Sequence, residues 1–170
     1  MIRPYKSEDY RAIAEIFSSA VHEIACEVYT KAQCDAWASG DVNYDHWKRR
    51  CELKRPFVSE NECGEIEGFL ELDTDGHIDC AYVNPKFKRL GVMTRLVEHA
   101  VNTCFDFKVE RLYVEASICA KPMFEKLGFQ VIAENMVRIG DQELLNFRME
   151  RQKNSEQGAC TQPSVAKLLR

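Results

Sequence analysis

Near the start of the chain, apolar residues recur every three to four positions. Ile13, Ile16, Phe17, Ala20, Val21 and Ile24 fall on one stripe, which predicts an amphipathic helix running to about Ala25. Ser7 stands where it can cap that helix, with Glu8 and Asp9 in the first turn, where the helix dipole favours negative charge. Ahead of it, Ile2 to Tyr5 reads as a short strand. Two further helices are predicted over Lys31–Ala38 and Tyr44–Leu53. The period then shortens. Pro56 to Glu60, Glu65 to Leu72 and His77 to Val83 read as strands, the last two separated by the turn Asp73-Thr74-Asp75-Gly76.

The helical period returns from Gly91 to about Phe105, through Val92, Leu96, Val97, Ala100, Val101 and Cys104. Arg111 to Ala116 reads as a strand and Cys119 to Leu127 as a short helix stopped by Gly128. Phe129–Ile139 and Glu143–Glu150 flank Gly140-Asp141 and predict a hairpin. The order is therefore β-ααα-βββ-α-β-α-ββ. After Glu150 the chain turns polar, so residues 1–150 read as one domain and 151–170 as a polar C-terminal tail ending in Val-Ala-Lys-Leu-Leu-Arg.

The 170 residues suit one domain that needs no metal or disulfide to fold. A net charge of -4 argues against a nucleic-acid footprint and agrees with an amine-bearing partner. No stretch approaches the roughly 18 apolar residues of a membrane span, and no apolar signal core precedes the domain, so a cytoplasmic location is expected. The eight cysteines show neither Cys-x-x-Cys spacing nor a paired His motif, and read as unpaired thiols rather than ligands or bridges.

The most informative stretch is Val83-Asn84-Pro85-Lys86-Phe87-Lys88-Arg89-Leu90-Gly91-Val92-Met93-Thr94. It leaves a strand, carries basic residues at Lys86, Lys88 and Arg89, and enters a helix. Unpaired N–H groups at a helix start suit a diphosphate, and Gly91 permits close backbone approach. Strand, V-x-P, Q/R-x-x-G-x-G/A and helix resembles the acetyl-CoA motif of the GNAT superfamily, with Lys88 at the Q/R position, Gly91 at the central Gly and Met93 at the final small residue. Downstream, Leu112 to Ser117 followed by Ala120-Lys121-Pro122-Met123-Phe124-Glu125-Lys126-Leu127-Gly128-Phe129 is similar to the family's strand and A-x-x-x-Y-x-x-x-G-F motif, with Phe124 at the tyrosine position. The segments His22-Glu23-Ile24-Ala25, Gly76-His77-Ile78-Asp79 and Leu145-Asn146-Phe147-Arg148-Met149-Glu150 resemble the YafP-like branch more narrowly.

The resemblance implies an α/β (α+β) GNAT-like fold, a mixed, mostly antiparallel sheet of about seven strands flanked by helices. It implies an acetyl-CoA-dependent N-acetyltransferase, with acetyl-CoA as acyl donor, no metal, and a small-molecule or peptide amine as acceptor. The fourth and fifth strands would splay to admit the acyl-CoA arm, which pairs with the backbone at Ala81, Tyr82 and Val83. The cofactor would also meet Lys88, Arg89, Leu90, Gly91, Val92, Met93, Thr94, Ser117 and Phe124. Strand-edge dimers are common in the family, so a homodimer stays open.

A lysine-like amine is neutral about once in a few thousand at pH 7, which calls for a base. Asp79, on an otherwise apolar strand, is the first choice. Period-two alternation places it on one face with His77, Ala81 and Val83, and His77 is the second choice. Phe124 has no proton to give a departing thiolate, so Tyr113 becomes the expected general acid, with Tyr82 and Ser117 as local alternatives. His22, Tyr29, Trp37 and Glu115 are the expected acceptor-binding residues. A CoA-binding sensor without turnover is the alternative function, favoured by Met93 and Phe124.

Overall fold

The structure is a computed structural model and describes residues 1–106 and 109–153. Its elements run β1 (Ile2–Pro4), α1 (Tyr10–Glu23), α2 (Lys31–Trp37), α3 (Tyr44–Lys54), β2 (Phe57–Glu60), β3 (Ile66–Leu72), β4 (His77–Val83), α4 (Val92–Asp106), β5 (Arg111–Ser117), α5 (Lys121–Lys126), β6 (Gln130–Ile139) and β7 (Gln142–Gln152). They form one sheet of seven strands in the order β1-β2-β3-β4-β5-β7-β6. Every pairing is antiparallel except β4 with β5. This is the predicted element order and fold.

Each face of the sheet has its own core, because one amphipathic layer covers each. On one face α4 and α5 bury Val92, Leu96, Val97, Ala100 and Phe124 against Leu70, Ile78, Leu112, Val114 and Met149. On the other, α1 and α3 bury Ile13, Ile16, Trp47 and Cys51 against Val58 and Phe69. A smaller cluster seats α2 on β7 through Tyr29, Cys34 and Leu144. At roughly 25 cal/mol per Å² of apolar surface removed from water, these two layers are the main stabilising term.

Three sequence expectations need correction. Ser7 lies in a 3-10 turn (Ser7–Asp9), and α1 starts at Tyr10. The Lys6 amide donates to the Asp9 carboxylate at 2.7 Å, so Asp9 organises the helix entry in place of Ser7. Strand β7 continues through Arg151 and Gln152, where β5 supplies partners at Leu112 and Arg111. The tail thus starts later than residue 151, and residues 154–170 lie outside the described residues.

Two of the thiols, Cys26 and Cys34, are brought side by side, with Cα atoms 6.2 Å apart. The turn between α1 and α2 brings them together, a proximity that their spacing of eight residues does not signal. Of the other described cysteines, Cys51 and Cys104 are buried, Cys80 and Cys119 half-buried, and Cys63 exposed. Cys160 falls outside the described residues.

The third correction concerns alternation along β4. Leu70 pairs with Ala81 but Leu72 with Ile78, so β4 carries one extra residue at Asp79-Cys80. Ile78, Ala81 and Val83 therefore pack on the α4 side, while Cys80 and Tyr82 pack on the α1–α3 side. His77 and Asp79 do not share a face with Ala81 and Val83 as simple alternation predicts.

Candidate functional site

Strands β4 and β5 pair only at His77 with Tyr113 and Ile78 with Val114. Beyond that point they diverge, and the gap opens into a cavity of about 430 Å³. Its walls are Asp79, Ala81, Tyr82 and Val83 from β4, and Val114 to Ser117 from β5. Phe87 to Arg89 and Gly91 to Thr94 form one end, Cys119, Ala120, Met123 and Phe124 another, and Ala20, Ile24, Glu27 and Trp37 a third. A parallel pair that separates leaves backbone N–H and C=O groups facing a mostly apolar gap, which suits an extended ligand that adds as a strand.

The turn before α4 explains one end. Asn84 accepts a hydrogen bond from the Lys86 amide at 3.1 Å, and Phe87 N–H donates to the Asn84 carbonyl at 2.8 Å. Arg89 and Gly91 then adopt φ of 65° and 74°. Arg89 is a non-glycine residue in left-handed backbone, an uncommon conformation that clusters at ligand sites. Arg95 braces the turn, donating to the Leu90 carbonyl at 3.1 Å and to Glu67 at 3.0 Å. Residues with backbone curled this way before a helix start form a concave anion site. Met93 packs against the α4-side core and also lines the cavity. Leu90 points away and is exposed.

The predicted site residues divide by placement. Asp79, Ala81, Tyr82, Val83, Lys88, Arg89, Gly91, Val92, Met93, Thr94, Glu115, Ser117, Phe124 and Trp37 all meet the cavity. His77, Tyr113, Tyr29, His22 and Leu90 do not. The Tyr113 hydroxyl donates to Asp75 at 2.6 Å, and its ring stacks on His77 with centroids 4.7 Å apart. That hydrogen bond to a carboxylate raises the phenol above its ordinary value. Tyr29 is buried, donating to the Leu145 carbonyl at 2.6 Å and accepting from the Ile118 amide at 3.0 Å. It ties the end of β5 to β7. His22 bonds the Ala38 carbonyl at 2.9 Å, away from the gap.

Asp79 is held by two cations. Arg50 Nη2 and Lys54 Nζ each lie 2.9 Å from its Oδ2. Burial pushes its carboxyl up, but the hydrogen bond from Lys54 and the charges of Arg50 and Lys54 outweigh this and hold it below the ordinary value. The same guanidinium makes bonds of 3.0, 3.1 and 2.6 Å to Glu71, which is fully buried, and meets Cys80 Sγ at 3.2 Å. Glu71, Asp79 and Cys80 offer ligand atoms within 4.8 Å of one another, but Arg50 already contacts all three. Glu115 has a different partner, His77 Nε2 at 2.7 Å, with Asp73 3.6 Å from the other ring nitrogen.

Arg50, Lys54, Arg95 and Glu27 escaped sequence reasoning. The i,i+4 spacing of Arg50 and Lys54 on α3 puts both on one helix face, the one signal that could have paired them with β4. A second hollow of about 320 Å³ lies between α1, α2 and α3, lined by Phe17, Trp47, Arg50 and Cys80, and it shares Trp37 with the first.

No helix among the described residues is long and apolar enough to cross a membrane. Residues 25–151 match the acetyltransferase (GNAT) domain model. The chain is 30% identical over 148 residues to an N-acetyltransferase of Escherichia coli K12, YafP, covering 87% of this chain and 93% of that protein. A GCN5-related N-acetyltransferase structure from Rhodopseudomonas palustris superposes with a TM-score of 0.84 at 27% identity, covering 90% of this chain and 95% of that one. A phosphinothricin acetyltransferase from Sinorhizobium meliloti, solved with acetyl-CoA, has the same fold, with a TM-score of 0.72 at 16% identity over 97% of this chain and 93% of that one. With a GNAT model across most of its length and a relative matched nearly end to end, the chain belongs to the GNAT acetyltransferase family.

Proposed function

We propose that the protein transfers the acetyl group of acetyl-CoA directly to a primary amine, with the thioester lying in the gap between β4 and β5. The observation that carries this reading is the divergence of those strands beside a curled, basic helix entry, both walls of one cavity. The pantetheine arm would run along Ala81–Val83 and the diphosphate would meet the amides near Gly91, with Lys88 and Arg89 adding charge. Related structures solved with acetyl-CoA support the same donor.

The acceptor enters from the α1–α3 side, where Trp37 borders both hollows. Asp79, kept ionised by Arg50 and Lys54, is a fixed negative charge that draws and orients the ammonium; its lowered pKa makes it a weak base. Glu115 is the carboxylate we assign as base. It lies on the cavity wall, and His77 holds it from behind, acting as a positioning residue. Glu115 takes a proton from the ammonium, and the neutral nitrogen attacks the thioester carbonyl carbon. The C–S bond then breaks and the second N–H proton passes to the departing sulfur. A thiolate with an ordinary pKa near 8.5 leaves without a strong donor. Tyr82 and Ser117 are the wall hydroxyls that can hydrogen-bond to it.

The test is thiol release from acetyl-CoA across a panel of primary amines, with mass spectrometry of the product. Glu115→Gln should lower kcat by about 10²-fold near neutral pH, the usual worth of a general base, with partial recovery at high pH. Asp79→Asn should act mainly on KM for the amine. A Glu115→Gln enzyme within threefold of wild type would remove Glu115 from this role.

A further inference from the structure

One carboxylate stands where an anionic cofactor would have to come. Glu27 sits in the 3-10 turn Ala25–Glu27 after α1, and Lys88 in the turn before α4. Both line the cavity, and they form an ion pair. Lys88 and then Arg89 pull the Glu27 carboxyl below its ordinary value. The turn carrying Glu27 is anchored. The Glu27 amide donates to the Ile24 carbonyl at 3.2 Å, and the neighbouring Cys26 lies beside Cys34 on α2.

Lys88 is one of the two basic side chains on the cavity wall at this turn. With Glu27 as its partner it is not free to meet a phosphate. A diphosphate arriving here must displace a carboxylate from Lys88 and then sit beside that carboxylate. From this geometry we infer that Glu27 is an internal competitor for the diphosphate-binding turn. It lowers affinity for phosphate-bearing CoA species and blunts the contribution of Lys88, while leaving the pantetheine arm unaffected. The inference rests on the CoA reading proposed above and concerns one residue's part in it.

Charge makes the prediction specific. Without the Glu27 charge, Lys88 is unengaged before binding, and one like-charge repulsion disappears after it. For a partly exposed pair the gain is modest, about two- to fivefold in Kd. Because the effect acts through phosphate, it must vanish for a ligand that lacks phosphate. Removing a repelling charge also makes binding depend more steeply on salt.

The experiment is isothermal titration of the full chain with CoA and, separately, with pantetheine, at two salt concentrations. Wild type, Glu27→Gln, Lys88→Gln and the double variant are compared, with Glu27→Ala as a second removal of the charge. Thermal melting checks that each is folded. We expect Glu27→Gln and Glu27→Ala to bind CoA about two- to fivefold more tightly, with a steeper salt dependence and unchanged pantetheine binding. Lys88→Gln should cost more affinity in the Glu27→Gln background than in wild type, where Glu27 already occupies the lysine. Equal CoA affinity in wild type and both Glu27 variants would overturn the inference and leave the CoA reading standing. Tightening of CoA and pantetheine alike would also overturn it, since the cause would then be a wider cavity. Absence of CoA binding in wild type and variants alike would overturn both.

Discussion

Replacing Arg50 by Met leaves the Glu71 carboxylate buried without its partner. In the intact protein Glu71 is fully buried and takes three guanidinium contacts of 3.1 Å or less. Burial pushes its carboxyl up, and Arg50 pulls it back. Without Arg50 the charge either stays, at several kcal/mol, or is neutralised by a proton. Protonating a carboxyl of unfolded pKa 4.3 at pH 7 costs about 1.36 × 2.7, or roughly 3.7 kcal/mol. The cheaper route sets the loss, so Arg50→Met should lose about 3–4 kcal/mol at pH 7, a large part of a typical total of about 5–15.

The sign with pH follows from the same step. The folded variant holds a proton that the unfolded chain has released, so its stability falls as pH rises above the unfolded pKa. At pH 5.5 the cost shrinks to about 1.36 × 1.2, or roughly 1.6 kcal/mol. Urea unfolding followed by the fluorescence of Trp37 and Trp47 at both pH values measures the difference. Arg50→Met with Glu71→Leu, which removes both charges, should recover most of the loss. A deficit under about 1 kcal/mol at pH 7, or one that does not shrink toward pH 5.5, would refute the reasoning.

Gly76 ends the β3–β4 turn at φ 92°, where an added Cβ would stand 2.1 Å from the Arg111 carbonyl oxygen. Gly76→Ala should therefore cost at least about 2 kcal/mol in urea unfolding, and a loss under 0.5 kcal/mol would show that the turn can shift. Asp9 is buried and bidentate on Arg3 at 2.7 and 2.9 Å. Burial raises its carboxyl, but the Arg3 hydrogen bond and the Lys6 amide outweigh this, so its folded pKa lies below the ordinary value. Its stabilisation is present above the unfolded pKa and is lost as pH falls through the folded one. Asp9→Asn should cost about 2–4 kcal/mol at pH 7, with the gap to wild type closing below about pH 4 in acid unfolding.

The fold was legible because its signals are local. The stripe from Ile13 to Ile24, the Gly140-Asp141 hairpin and the basic entry to α4 each report on their own segment, and each appears where expected. The cavity wall was legible in the same way, since Lys88 and Arg89, Gly91 to Thr94, and Ala81 to Val83 fall in short local runs. What sequence could not show depends on partners distant along the chain. Asp79 reads as an isolated acid until α3 sets Arg50 and Lys54 against it. Tyr113 reads as a free hydroxyl until the turn before β4 supplies Asp75. The extra residue at Asp79-Cys80 reverses the face of Ala81 and Val83, because a bulge is set by strand pairing and leaves alternation along one strand unreadable.

The central claim is that the gap between β4 and β5 holds acetyl-CoA with its diphosphate at Gly91. Isothermal titration with acetyl-CoA, beside a Gly91→Glu variant shown by thermal melting to be folded, tests it most directly. Gly91 has φ of 74°, so a side chain there both strains the turn and places a carboxylate at the diphosphate site. The wild-type chain should bind one-to-one and the variant not at all. No heat of binding in wild type, or equal binding by the variant, would contradict it.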